Sequence, residues 1–380
     1  MGRCGRFSKL KSSLVALALL LVLTGWLGGG EAWATANHAT RTLTDMAGRT
    51  VTVPREIKSV VPLSGALRFM VYLQSLDLVA GMENVEGRWT SPGRLYGLAT
   101  REKAAELPVI GEGGPGRLPD FERVIALWPD VIISMGMDID QVETIQSKTG
   151  RPVFVLNYGL PGVLVPAEAK LALGLLGELL GREQRAEQLL AFMDHLDADL
   201  VARTGDIPAD QRPTVYVGAI SHKGTQGITS TAATYAPLAW AGGRNVAAEA
   251  GPTGHIFIDP EMLLWWEPEV MFIDAGSLAK VAEDYRRNPR FYHKIGAVRE
   301  GRVFSLMPYN FYHTNIEIAY ADAYFIGRTL YPGRFRDIDP AAKADKIFLN
   351  FIGLAAYSDL AAELHGFGQV FFEEKELVIR

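Results

Sequence analysis

Cysteine is nearly absent. The single copy, Cys4, stands ahead of the first apolar run, so disulfides, cysteine-ligated zinc and iron–sulfur clusters are excluded from the rest of the chain. Catalytic signatures are missing as well. There is no Gly-x-Ser-x-Gly elbow, no His-Glu-x-x-His, no phosphate-loop lysine and no two histidines close together in sequence. Free zinc or manganese is disfavoured, since such sites want three or four protein ligands and the histidines are scattered singly, and no resident cofactor is expected. Basic charge is scarce: Lys+Arg 38 against Asp+Glu 43 give a net charge of −5. A nucleic-acid partner, which needs a basic surface, is therefore not expected. No apolar run reaches the roughly 20 residues that span a bilayer.

What the chain does have begins with an export signal. Arg3, Arg6, Lys9 and Lys11 precede an apolar run from Leu14 to Leu23, and Gly28–Gly30 and small residues follow. Cleavage is expected after Ala34, with Ala36 as second choice, so residues 1–34 are read as a signal peptide. That cut leaves no cysteine for lipid attachment and a net charge of about −8. The mature protein is expected to be free in a periplasm, touching the membrane only through a partner. With 48% apolar residues, the remaining chain can build about two domains.

Short apolar runs bounded by turn residues alternate with helical patterns. They fall at Lys58–Leu63, Leu78–Met82, Val131–Met135 and Val153–Leu156, then Thr214–Ile220, Val270–Ile273 and Arg302–Leu306. This texture predicts parallel sheets flanked by helices. A repeat supports two similar lobes. Asp120-Phe121-Glu122 runs on to Pro129 and the apolar Val131–Ile133, and Asp259-Pro260-Glu261 runs on to Pro268 and Val270–Phe272. In both, the spacing predicts a short N-capped helix stopped by proline and feeding a buried strand. Between the lobes lie two helical pieces, Pro166–Leu180 and Glu183–Arg203, parted at Gly181. The second carries an apolar stripe at Ala186, Leu189, Leu190, Met193, Leu196, Leu200 and Val201, and at about 30 Å it is long enough for a spine. The expected divisions are an N-terminal α/β lobe over 41–165, connecting helices over 166–205, a C-terminal α/β lobe over 206–340, and a helical segment and tail over 341–380. Trp265-Trp266 is read as helix packing. Gly111–Gly116 formally fits a dinucleotide fingerprint, but Pro115 and Pro119 keep a helix from starting where a pyrophosphate needs one.

The segment Thr44-Asp45-Met46-Ala47-Gly48-Arg49-Thr50-Val51-Thr52-Val53-Pro54, followed by Ile57–Val61 and the Leu63-Ser64 turn, resembles the opening of iron-siderophore and cobalamin binding proteins of ABC importers. Leu118–Ile132 resembles the most recognisable internal segment of that family. The resemblance implies two Rossmann-like lobes, each a mostly parallel sheet flanked by helices, joined by one long spine helix (the class III periplasmic binding protein arrangement). It also implies a ligand in the cleft between them and one surface glutamate per lobe, here Glu122 and Glu261, docking into arginine pockets on a permease dimer served by an ATPase. Two matched anions suit a two-fold partner carrying cations.

Open α/β sheets hold ligands beyond the carboxyl ends of their strands. That rule selects Ser64, Arg68, Arg88, Trp89, Arg94, Tyr96, Arg117 and Met135 from the first lobe, and His222, Tyr309, Asn310, Tyr312 and His313 from the second. Arginines facing an aromatic loop suit an anionic chelate, with His313 a candidate for completing a metal's coordination. The expected cargo is a metal complex: an iron chelate or siderophore first, then cobalamin, haem or molybdate. Two other readings use the same two-lobed architecture, a metal-chelatase-like enzyme and a ligand-presenting subunit of a sensory receptor. The export signal and the missing cysteines weigh against the enzyme.

Overall fold

A computed structural model describes residues 39–88, 91, 93–114, 116–159, 163–374 and 376–380. The expected signal peptide and Trp89 lie outside the described residues.

The motif that opens the resemblance folds as a hairpin of β1 (Thr40–Thr44) and β2 (Thr50–Pro54). Its turn is held by a buried carboxylate. Asp45 accepts from the backbone N–H groups of Ala47, Arg49 and Val155 and takes the Arg49 guanidinium at 2.7 Å. A buried charge is tolerated only when it is paired and hydrogen-bonded in this way.

The apolar runs then build two separate parallel sheets. In the first lobe β3 (Val60–Leu63), β4 (Val131–Met135) and β5 (Val153–Leu156) lie side by side in sequence order. The expected strand at Leu78–Met82 makes only single bridges, Val79 to Val60 and Met82 to Val109, because a 3-10 turn at Leu76–Leu78 takes its start. In the second lobe β6 (Thr214–Gly218), β8 (Arg244–Asn245), β10 (Val270–Asp274) and β11 (Val303–Leu306) pair in parallel. β7 (Ser230–Ala232) and β9 (His255–Phe257) form a separate antiparallel pair. The C-terminal segment holds helices Pro340–Ile352 and Tyr357–Leu364, and its tail folds as antiparallel β12 (Gly368–Glu373) and β13 (Glu376–Ile379) on the edge of β11.

Both repeated segments form the unit their spacing predicts. Each helix is seven residues long, Phe121–Leu127 and Pro260–Trp266, and each ends on a left-handed residue, Trp128 (φ 48°) and Glu267 (φ 42°). A buried proline and a five-residue, fully buried strand follow in both. The copies differ at their caps: Asp120 accepts from the Arg123 N–H, whereas the Asp259 side chain makes no such bond. Only one of the two tryptophans packs on the helix as expected. Trp266 is partly buried against Tyr216, but Trp265 is 81% exposed, because its position on the helix matches that of exposed Ala126 in the first copy.

Helices Pro166–Leu180 and Glu183–Thr204 pack together through the turn at Gly181 (φ +66°), where the N–H groups of Gly181 and Arg182 close on Glu178 and Gly177. Gly177 must lack a side chain, since a Cβ there would stand 2.6 Å from that of Ala186. Of the expected stripe, Ala186, Leu189, Met193, Leu196 and Leu200 are buried in one apolar cluster that contains Val60 and Phe154 of the first sheet and Val217 and Phe272 of the second, Leu190 packs partly buried against it, and Val201 is 66% exposed. The two lobes thus share a core along this helix.

Candidate functional site

The carboxyl ends of both sheets meet at one cleft. Its central bay, about 380 Å³, is lined by Ser64 and Gly136–Asp138 from the first lobe and by Ser221–Lys223, His255, Tyr309, Asn310, Tyr312 and His313 from the second. Side bays extend it past Asn157 and Tyr158 (about 380 Å³) and past Thr225, Pro308 and Phe311 (about 790 Å³).

One wall is a fixed hydrogen-bond chain. Ser64 (φ 55°), Tyr312 (φ 46°) and His313 (φ 67°) all hold left-handed conformations, which non-glycine residues keep only where their surroundings over-determine them. The Tyr158 hydroxyl accepts from the Thr314 N–H and lies 2.7 Å from His313 Nδ1. Ser64 Oγ lies 3.3 Å from the other ring nitrogen, Nε2, so each nitrogen of His313 faces a hydroxyl. Burial and the nearby Arg68 hold the His313 ring neutral, with its pKa lowered to about 4. Both ring nitrogens are engaged, so His313 can take a metal only by giving up one of these bonds. Beside it, Glu83 accepts from the Tyr312 hydroxyl (2.7 Å) and the Ser64 N–H (2.9 Å), and burial raises its pKa to about 7.

The opposite wall carries a pair of imidazoles. His222 and His255 stack with centroids 4.1 Å apart and planes within 9°. Ser230 donates to the Ile220 carbonyl and so accepts from His255 Nε2, leaving Nδ1 of His255 without its proton. Burial and the neighbouring His222 lower the His255 pKa to about 4. The His222 ring makes no hydrogen bond among the described residues. Two parallel rings cannot bind one metal ion together unless one of them turns.

The arginine cluster expected here is not in the cleft. Arg68 is fully buried, and its guanidinium donates to the carbonyls of Phe311 (3.2 Å) and Tyr312 (2.7 Å) and to Asn315 (3.2 Å). Arg94 pairs with buried Glu86, whose carboxylate also accepts from Tyr96, itself fully buried. Arg88 is exposed and pairs with Glu112, and Arg117 is exposed outside the cleft lining. Met135 lies wholly in the core, and the cleft begins one residue later at Gly136. The physical reason is common to the first group. A guanidinium that lies under the loop it supports must spend its donors on carbonyls and carboxylates around it. Among the described residues lining the central bay, Lys223 and Asp138 are the only lysine, arginine or carboxylate side chains, and they are of opposite sign.

Residue-by-residue reading missed His255, Tyr158 and Glu83. Tyr158 follows β5 by two positions, so the rule used for the other strands points to it. His255 gave no such signal, because it reaches the cleft on the antiparallel pair β7–β9 and not at the end of a parallel strand.

Two lobes joined by a helix, with a polar cleft at the carboxyl ends of both sheets, define a solute receptor of the periplasmic type. The chain matches the periplasmic binding protein family over residues 72–309, more than half its length, and belongs to that family. It is 25% identical over 343 residues to the molybdate-binding protein MolA of Haemophilus influenzae, covering 85% of this chain and 94% of that protein. Among solved structures, MolA bound to molybdate aligns with a TM-score of 0.65 at 22% identity, over 82% of this chain and 98% of that one. Helicobacter pylori CeuE with Ni(II) bound aligns at 0.62 and 17% identity, over 85% and 99%. A periplasmic solute-binding protein of Veillonella parvula aligns at 0.65 and 17%, over 86% and 97%.

Proposed function

We propose that this protein is the receptor of an ABC importer, exported by cleavage after Ala34, that binds a metal-centred solute in its cleft and docks on a permease pair through Glu122 and Glu261. The observation that supports the cargo class is the cleft's near-neutral, imidazole-rich lining. Without the arginines, an anionic chelate has little to hold its charge. A complex of low net charge with an exchangeable coordination position finds imidazole nitrogens at His222 and His255, and hydroxyls at Ser64, Ser221 and Tyr309. The central bay and its neighbours leave room for an organic chelator around the metal.

Molybdate is the second reading, favoured by the relationship to MolA. A tetrahedral oxyanion would fill only part of the central bay, held by Lys223 and the serine hydroxyls. Metal analysis and mass spectrometry of protein purified from its native periplasm separate the two. Titration then follows, by quenching of tryptophan fluorescence, with molybdate and with ferric and nickel chelates. Wild-type affinity in His222→Ala, His255→Ala and Tyr309→Ala proteins would remove the cleft assignment. Docking is tested separately: Glu122→Ala with Glu261→Ala is expected to abolish uptake and leave solute affinity unchanged.

A further inference from the structure

On the second repeated helix, Glu261 and Trp265 stand four residues apart, which puts them on one face, and both are exposed. Trp265 is 81% exposed, the most exposed of the large apolar side chains described. An indole left in water beside a carboxylate has no part in the core, since Leu263 and Trp266 carry that helix's packing. The charges along this stretch of sequence are of one sign. Asp259, Glu261, Glu267 and Glu269 are all exposed, and no lysine or arginine occurs between Arg244 and Lys280. The first repeated helix lacks this combination, having Ala126 at the position of Trp265 and Arg123 next to Glu122.

We propose that Glu261 and Trp265 form a two-part clamp for a guanidinium on the permease, the carboxylate pairing with it and the indole face stacking on it. This rests on the docking reading given above and adds a residue to it. Arginine suits the clamp because its planar cation can pair at its edge and stack on its face at once. The clamp makes docking asymmetric: the second lobe binds by charge and stacking, the first by charge alone.

The test uses the purified receptor and its permease–ATPase complex in proteoliposomes, reading receptor affinity and stimulation of ATP hydrolysis. Trp265→Ala is expected to weaken binding by about tenfold or more, as loss of an aromatic hot spot does, and Trp265→Phe to restore part of it. Thermal midpoint and affinity for the solute are expected to stay at wild-type values. If Trp265→Ala docks like wild type while Glu122→Ala or Glu261→Ala does not, the clamp is refuted and the docking reading stands. If none of the three changes docking, both fall. Equal wild-type binding to vesicles without the permease would instead make Trp265 a lipid contact and overturn the clamp.

Discussion

The two lobes carry the same helix-to-strand unit but bring different polar residues to the cleft. In the first lobe Arg68, Arg94, Glu83 and Glu86 are turned inward and are at most 4% exposed, with Arg68 and Glu83 pinning Phe311 and Tyr312 and Arg94 paired with Glu86. In the second lobe His222, His255 and Lys223 stand in the cleft itself. The difference teaches a division of labour: the first lobe fixes the shape of the cleft, and the second supplies groups able to exchange partners with a solute.

The comparison breaks most visibly if Arg68 is dispensable. Arg68→Ala leaves two carbonyls and a side-chain oxygen without their buried donor, and is expected to cost about 3–5 kcal/mol. Lys223→Ala, at an exposed cleft position, is expected to stay within about 0.5 kcal/mol. Urea denaturation of both proteins measures the contrast, and equal midpoints would erase it.

Within the shared unit, Leu263→Ala is expected to cost about 2–5 kcal/mol, for the lost burial and the cavity left behind. The matched Val124→Ala removes fewer carbons and is expected to cost roughly 1.5–3 kcal/mol. Both residues are fully buried at the same place in the repeat. A harmless substitution at either would mean that the two copies do not pack alike.

Acid titration separates two groups of the second lobe by sign. His313 has a folded pKa of about 4 against 6.5 for the free side chain, so the unfolded chain takes up its proton first as pH falls. Stability is lost between about 6.5 and 4, by up to about 3 kcal/mol, and His313→Gln is expected to flatten that loss. Asp274, raised to about 7 by burial, acts the other way, with its contribution intact at low pH and lost as pH rises from 3.8 to about 7. Asp274→Asn is therefore expected to make the loss on acidification steeper. Denaturation midpoints measured across that window decide both signs, and parallel curves for all three proteins would refute them.

The smallest effect concerns the caps. Asp120→Ala removes the bond to the Arg123 N–H and is expected to cost about 1 kcal/mol, while Asp259→Ala is expected to cost only a few tenths. Equal costs would show that Asp259 caps its helix in solution.

Much of this architecture is legible in one dimension. β4 and β5 have the bounds their apolar runs predict, and the two connecting helices part at Gly181 as their composition requires. The loops that line the cleft follow from strand direction alone. Individual side chains within those loops do not: Ser64 and Tyr309 reach the bay, whereas Tyr96 and Met135, chosen by the same rule, are core. Strand position identifies the loop, but one residue along a strand end separates the inside of the sheet from the cleft.

The sequence by itself determined most strands of the parallel sheets, the connecting helices, the repeated unit with its paired glutamates, and the edge at which a solute would sit, because periodicity, caps and strand direction are local properties. Only the tertiary structure decided which charges face that solute. Arg68 is buried because its carbonyl acceptors, 243 and 244 positions away in the chain, close over it. His255 enters the cleft because β9 pairs with β7 beside the parallel sheet. Burial and ionisation depend on partners that folding brings from far along the chain, and no local pattern encodes them.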